Sequence, residues 1–122
     1  MKVIIVNHKK VHKDVLLYLR WFGIYYVELK YLDNSVQALK EIKKRKKPEI
    51  IFVKYDKNDS KLKELITKSI KEKIEVFVLI ENAQQKWTLQ DMKIKKLKKE
   101  NILMLPTPVE IIMHIIDKTN IK

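Results

Sequence analysis

Few side chains in this sequence have the type and spacing that a chemical site requires. His8 and His12 stand four residues apart, the spacing that places two imidazoles on one helix face where they could bind a metal ion. No third ligand follows in helical or loop register, and only Asp14 and Glu81 are spatial candidates. We therefore predict no metal site and expect both histidines in exposed loops. Because the chain has no cysteine, it has no thiol nucleophile and no thiolate zinc site.

Two other kinds of catalytic site also lack their residues. A phosphate-binding loop needs glycines for close backbone approach, and the single glycine, Gly23, stands where a helix is predicted to end. The serines Ser35, Ser60 and Ser69 fall at predicted helix caps or within helices, and no Ser-His-Asp set can be recognised. We therefore predict that the protein is not an enzyme and has no cofactor.

The charge of the chain is strongly positive. It has 27 Lys and Arg against 15 Asp and Glu, a net charge of +12, and all the basic residues except Arg20 and Arg45 are lysines. This excess attracts polyanions, but forked contacts to bases and phosphates favour arginine, and a lysine-rich composition also suits a heat-adapted genome. Nucleic-acid binding by lysines of the second and fourth helices is thus an alternative function, and we expect it to be unspecific.

The apolar pattern alternates between short continuous blocks and helical spacing. Continuous apolar or β-branched blocks predict five strands, most of them buried on both faces. These blocks are residues 3–6, 24–31, 49–53, 76–80 and 102–105. A helix with apolar residues three and four apart follows each block, as in residues 11–22 after the first. Five strand-helix units predict an α/β fold, a five-stranded doubly wound parallel sheet with helices on both faces.

The helix starts have recognisable caps. Asp33-Asn34 precedes the second helix, Asp59 or Ser60 the third, and Asn82 a fourth helix that is predicted to run to about Lys99. Residues 107–110, Thr-Pro-Val-Glu, combine a cap, a proline at the first helical position and a glutamate at the third. They are the strongest helix start in the chain.

In such sheets the functional crevice lies outside the carboxyl ends of the strands. The residues that follow the apolar blocks are therefore the candidates for a site. They are Asn7, His8, Lys54, Ile80 and Leu105.

Several stretches of the sequence resemble the receiver domain of bacterial response regulators, which has a flavodoxin-like fold. Residues 2–6 resemble the family's first strand, residues 33–39 (DNSVQAL) its "DNGxxAL" helix start, and residues 48–53 (PEIIFV) its "PDLVLL" third strand. Pro106 followed by Glu110 resembles the fifth loop and last helix. The resemblance covers residues 2 to about 117 and implies a single receiver-like domain over residues 1–122.

The resemblance also implies a degenerate phosphorylation site. Receivers accept a phosphoryl group on an Asp that ends the third strand, and Lys54 occupies that position here. Asn7 and His8 replace the acidic pair that helps hold Mg²⁺, Ile80 replaces a Thr or Ser, and Leu105 replaces a Lys. An ammonium repels Mg²⁺, which prefers oxygen ligands.

We therefore predict a phosphorylation-independent pseudo-receiver, a regulatory protein-interaction module. Asp56, two residues past Lys54, is an alternative phosphoryl acceptor, but only if the register slides.

The resemblance indicates where partners would bind. Receivers use the surface of their fourth helix, fifth strand and fifth helix, and we predict a protein partner or self-association there. The candidate residues, all placed on the fourth helix, are Trp87, Met92, Lys95, Lys96 and Lys99. The longest uncharged stretch, residues 101–109, is far shorter than a membrane-spanning helix, and no basic-then-apolar leader opens the sequence. We therefore expect no membrane partner and a cytoplasmic location.

Overall fold

The computed structural model describes residues 1–120, which fold around one parallel sheet. Its strand order is β2-β1-β3-β4-β5, with a helix after each strand, so the predicted doubly wound fold is confirmed. The strands are β1 (Lys2–Val6), β2 (Glu28–Leu32), β3 (Ile50–Lys54), β4 (Glu75–Ile80) and β5 (Ile102–Met104). The helices are α1 (Lys9–Trp21), α2 (Ser35–Ile42), α3 (Leu62–Lys71), α4 (Ala83–Asp91) and α5 (Pro108–Asn120). The predicted domain, residues 1–122, includes residues 121 and 122, which lie outside the described part.

The central strands are apolar because helices cover both faces of the sheet. Alternate residues of β1, β3 and β4 point to opposite faces and form two core layers. In one layer the rings of Phe52 and Phe77 stack with their centroids 5.0 Å apart. No helix among the described residues is long and apolar enough to cross a lipid bilayer.

One buried ionic cluster joins α2 to the sheet. The Glu41 side chain is only 3% exposed and contacts the ammonium groups of Lys2, Lys30 and Lys44. Lys2 lies 3.6 Å from Oε1 and Lys44 lies 2.6 Å from Oε2. Hydrogen bonds from Lys30 and Lys44 lower the pKa of Glu41 to about 2, against the opposing effect of burial.

The second strand is shorter than predicted. It begins at Glu28, opposite Lys2 of β1, and residues 24–27 are not part of it. β2 is an edge strand that pairs with β1 alone. Residues 24–27 precede the first β1–β2 pair, so they have no neighbouring strand with which to pair. Ile24 instead donates its N–H to the Leu19 carbonyl at 2.8 Å and closes the end of α1.

The fourth helix also ends early, at Asp91 and not near Lys99. The chain then takes left-handed conformations at Lys93 (φ 51°) and Lys96 (φ 66°). A continued helix would turn Ile94 about 140° away from Leu89, the one buried residue of α4. The irregular path instead packs Ile94 and its apolar neighbours against the core.

Three of the four predicted helix caps are found in the structure. Asn34 and Asn82 cap α2 and α4 through their side chains, and Thr107 Oγ1 accepts from the Glu110 N–H at 3.2 Å. The cap predicted for α3 is wrong, because α3 begins after Lys61, which makes no side-chain cap bond. Asp59 instead stabilises the turn that precedes α3, where its Oδ1 accepts from the Lys61 N–H at 3.1 Å.

Candidate functional site

Cavities lie at the carboxyl ends of the strands, and two of them adjoin at Lys54. The larger, about 540 Å³, is lined by polar residues that include Asn7, Lys54, Asp56 and Glu81. The smaller, about 230 Å³, lies beside His8 and also includes Lys54 in its wall. The residues predicted from the ends of the apolar blocks therefore meet at one crevice, with Lys54 between its two halves.

Lys54 is the last residue of β3 and forms an ion pair across the crevice. It pairs in register with Leu79 of β4, and its Nζ lies 3.4 Å from Oε1 of Glu81. The Lys54 side chain is 34% exposed and that of Glu81 is 52% exposed. The Lys54 side chain is thus only partly buried, since the strand ends at Lys54 and its side chain extends over the next connection.

Asn7 and Asp56 face each other in the larger cavity. The Asn7 backbone is left-handed (φ 61°) and donates its N–H to the Leu32 carbonyl at 2.8 Å, so its side chain turns toward β3. Its Nδ2 donates to Oδ2 of Asp56 at 3.5 Å, and Oδ1 of Asp56 accepts from the Asn58 N–H at 2.9 Å. Asp56 therefore reaches the crevice from the loop without a shift in strand register, contrary to the sequence argument.

Three carboxylates of this edge have separate interaction partners. Each interacts with a different neutral or cationic side chain. The pairs are Asp56 with Asn7, Glu81 with Lys54, and Asp59 with the Ser35 hydroxyl. Within residues 1–120, no group of three or more His, Cys, Asp or Glu residues could hold a metal ion. Mg²⁺ is usually held by one or two carboxylates together with waters and phosphate oxygens, and here the Glu81 carboxylate is already paired with the Lys54 ammonium.

The two histidines are structural parts of α1 and its start, not exposed loop residues as expected. His8 is the N-cap, where Nδ1 accepts from the Val11 N–H at 3.4 Å. Burial, and then the Lys54 ammonium, lower the pKa of His8. His12 is half-buried against the ring of Tyr31, and burial lowers the pKa of His12 as well. Both imidazoles are therefore neutral at pH 7.

The last two candidate positions present no polar side chain to the crevice. Ile80 is 2% exposed and belongs to the core. Leu105 is 66% exposed and left-handed (φ 42°), and its N–H donates to the Ile80 carbonyl at 2.8 Å. Neither side chain can form a hydrogen bond to a phosphoryl group.

The predicted interaction residues do not share one helix face. Trp87 is in α4 and exposed, but Met92 follows the helix end and packs against the core. The predicted lysines Lys95, Lys96 and Lys99 are exposed on the irregular segment beyond α4, so their placement on the fourth helix is wrong. The cause is the early helix end described above.

Although sequence reasoning placed partner contacts on the fifth strand and fifth helix, it did not name an exposed apolar row there. It runs along the end of β5 and the outer side of α5, and each residue is more than two fifths exposed. Its members are Met104, Leu105, Val109 and Met113. The sequence does contain a signal, since Val109 and Met113 are four residues apart and out of phase with the buried Ile111, Ile112 and Ile115 of the same helix.

Comparison with solved structures identifies the fold. The receiver domain of RcsB from Salmonella enterica serovar Typhimurium superposes with a TM-score of 0.68 at 17% identity, covering 100% of this chain and 90% of that one. The receiver domain of NarL from Mycobacterium tuberculosis gives 0.62 at 15% identity, covering 99% and 97%. The chain has the receiver-domain fold.

A pilus assembly protein is similar as well. CpaE2 from Sinorhizobium meliloti gives a TM-score of 0.63 at 12% identity, covering 97% of this chain and 99% of that one. No protein-family model and no curated protein matches the sequence. At these identities the similarity defines the receiver fold, and the chemistry must be argued from this chain's own residues.

Proposed function

We propose that this chain is a receiver-like signalling domain that acts through protein contacts and without phosphorylation. The observation that carries the proposal is the Lys54–Glu81 ion pair, whose Nζ and Oε1 are 3.4 Å apart. A phosphoryl acceptor must be a nucleophile near a cation, and Lys54 instead brings its own positive charge to the end of β3. The remaining carboxylates have separate partners, which supports a crevice without Mg²⁺.

The two strand ends that carry a Thr or Ser and a Lys in receivers have apolar side chains here. With Ile80 in the core and Leu105 apolar, neither strand end offers a hydroxyl or an ammonium to the larger cavity. Ligand-driven switching requires contacts that differ between two states. We therefore propose one resting conformation, a non-enzymatic role and no cofactor.

The exposed apolar row supports protein contact as the mode of action. Met104 lies on β5, Leu105 in the loop that follows, and Val109 and Met113 on α5; β5 is an edge strand of only three residues. Methionine side chains adapt to different partner surfaces and are enriched at interfaces. A protein partner, or a second copy of the chain, would cover this row.

A phospho-receiver that uses Asp56 is the second candidate. Its support is the position of Asp56 in the wall of the larger cavity, within 3.5 Å of the Asn7 amide. Against it, Lys54, which lines the same cavity, is already paired with Glu81.

Phosphodonor treatment distinguishes the two candidates. The protein is incubated with acetyl phosphate and Mg²⁺ and examined by intact mass, beside Asp56→Asn and a receiver domain with an intact acidic site. We expect an adduct on the control receiver alone. A stoichiometric, base-labile adduct on the wild type that Asp56→Asn abolishes would establish the second candidate and overturn the first.

The contact surface is tested separately. We expect Met104→Glu/Met113→Glu to abolish self-association in light scattering or partner retention in a pull-down at moderate salt. Leu17→Glu, at an exposed apolar residue of α1, is the matched control. Equal effects of the two variants would contradict the proposed surface.

A further inference from the structure

The positive charge of the protein is concentrated at the amino edge of the sheet, opposite the crevice. Three of the helix-to-strand connections there, residues 43–49, 72–74 and 92–101, contain eleven basic residues and three glutamates. The basic residues are Lys43, Lys44, Arg45, Lys46, Lys47, Lys73, Lys93, Lys95, Lys96, Lys98 and Lys99. The glutamates are Glu49, Glu72 and Glu100.

The carboxyl edge has the opposite balance. Its strand-to-helix connections contain two basic residues, Lys57 and Lys61, and four acidic residues. The acidic residues are Asp33, Asp56, Asp59 and Glu81. The charge of the chain is therefore distributed unevenly between the two edges of the sheet.

The basic connections touch one another and form a continuous edge. Lys47 of the first pairs with Glu72 of the second at 3.2 Å, and the Glu75 N–H donates to the Glu49 carbonyl at 3.1 Å. The second and third connections line a common groove that includes Lys73 and Lys96. Most of these basic side chains have no carboxylate within 4 Å among residues 1–119, the exceptions being Lys44 and Lys47.

Exposed aromatic rings lie at one end of this basic edge. The connection between α1 and β2 has no charged residue, and together with the end of α1 it exposes Trp21 (81%), Tyr25 (78%), Phe22 (51%) and Tyr26 (50%).

Hydrogen bonds to backbone carbonyls join the aromatic and basic parts through the start of β1. The Met1 nitrogen donates to the Tyr26 carbonyl at 3.0 Å, and the Lys2 ammonium donates to the Lys46 carbonyl at 3.5 Å.

We propose that this amino edge binds single-stranded nucleic acid. Five strands at about 4.8 Å spacing make an edge roughly 20 Å wide, long enough for several nucleotides of an extended strand. The lysines would neutralise phosphates, and Trp21, Tyr25 and Tyr26 would stack on unpaired bases, the combination used by single-strand binders. Because the basic residues are mostly lysines, the binding contacts the backbone and has little sequence preference.

Tryptophan fluorescence measures this binding directly. In a Trp87→Phe background, Trp21 is the only tryptophan. An oligothymidylate of about 12 nucleotides, within the site sizes of known single-strand binders, is titrated in at several salt concentrations. We expect quenching of Trp21, weaker binding of a duplex of equal length, and a dissociation constant that rises with salt.

Charge-reversal variants locate the binding surface. Arg45→Glu/Lys46→Glu changes the basic edge, and Lys57→Glu/Lys63→Glu makes the same change in net charge near the crevice. We expect the first to weaken binding at least tenfold and to reduce the logarithmic salt dependence by about 1.4, the value for two phosphate contacts on a single strand. The second should weaken binding less than threefold. Trp21→Ala should weaken it about tenfold, as the loss of one stacked base does.

Three results would overturn the proposal. Equal weakening by the two charge-reversal variants would mean that net charge alone attracts the strand. Binding to vesicles of phosphatidylserine and phosphatidylcholine, without binding to the oligothymidylate, would assign the edge to a membrane surface. Absence of binding to either probe at ~50 mM salt, where phosphate contacts are strong, would remove the polyanion partner altogether. Circular dichroism of each variant confirms that it is folded before the titration.

Discussion

The buried carboxylate of Glu41 allows a quantitative test of the structure. Its three lysine partners lie on β1, β2 and just after α2, so one anion holds three segments together. Replacing Glu41 with Gln keeps the size of the side chain and removes its charge. The ammonium of Lys2, whose side chain is 9% exposed, then has no anion beside it.

The size of the effect follows both from the pKa of Glu41 and from the burial of its ion pairs. Lowering the pKa of the Glu41 carboxyl from 4.5 to about 2 corresponds to roughly 3 kcal/mol of stability at neutral pH, at about 1.4 kcal/mol per pKa unit. Removing one partner of a buried ion pair costs about 3–5 kcal/mol in other proteins. We therefore expect Glu41→Gln to lower the free energy of unfolding by about 3 kcal/mol at pH 7.

The pH dependence follows from the sign of the shift. Since the folded-state pKa is depressed, the stabilisation is complete above pH 4.5 and is lost as the pH falls toward 2. Urea unfolding of the wild type and the variant, followed by circular dichroism from pH 7 to pH 3, should therefore show a difference that shrinks from about 3 to about 1 kcal/mol.

Glu64→Gln is the matched control, because Glu64 pairs with Lys61 at 3.6 Å while both side chains are about half exposed. Such surface pairs contribute under about 1 kcal/mol. The reasoning is refuted if Glu41→Gln costs no more than Glu64→Gln, or if its cost is the same at every pH.

Two further predictions concern helix ends. Because the pKa of His8 is lowered in the folded state, its contribution to stability is complete above pH 6.5 and is lost as the pH falls below that value. His8→Asn keeps a capping side chain and should reduce the slope of unfolding free energy against pH between 6.5 and 5. An unchanged slope would contradict the lowered pKa of His8. Lys93→Gly should stabilise the protein by about 0.5–1 kcal/mol in thermal unfolding, since glycine suits its φ of 51°, whereas Lys95→Gly should not.

Much of the architecture could be predicted because local signals and the global fold agree. The apolar blocks of β1, β3 and β4 are buried on both faces, and Asn34 and Asn82 cap the helices that follow β2 and β4. Where the prediction was wrong, tertiary contacts decided. Residues 24–27 have strand-forming side chains, but they lie beyond the start of the one strand that β2 can join.

The position of the candidate site could be predicted from the sequence, but its side-chain contacts could not. Parallel strands bring their ends to one edge, so Asn7 and Lys54 could be placed there from the order of elements alone. The conformation of connecting loops sets the contacts, and nothing in the spacing of Lys54, Asp56 and Glu81 indicates which carboxylate meets the lysine.

The distribution of charge had a sequence signal that composition conceals. The basic run at residues 43–47 follows a predicted helix, whereas the lysines of residues 93–99 follow a helix only because α4 ends at Asp91. Cations are favoured at helix carboxyl ends, and in a doubly wound sheet all those ends lie at one edge. The net charge of +12 alone could not reveal this polarity.

The separation of basic and acidic connections gives the molecule an electric dipole along its strands. A body with such a dipole rotates in the field of an approaching polyanion before any contact is made. Its basic loops would arrive first, and the Lys54–Glu81 crevice would point back into solvent. Whatever anionic surface this domain meets, the crevice would stay accessible to a second molecule.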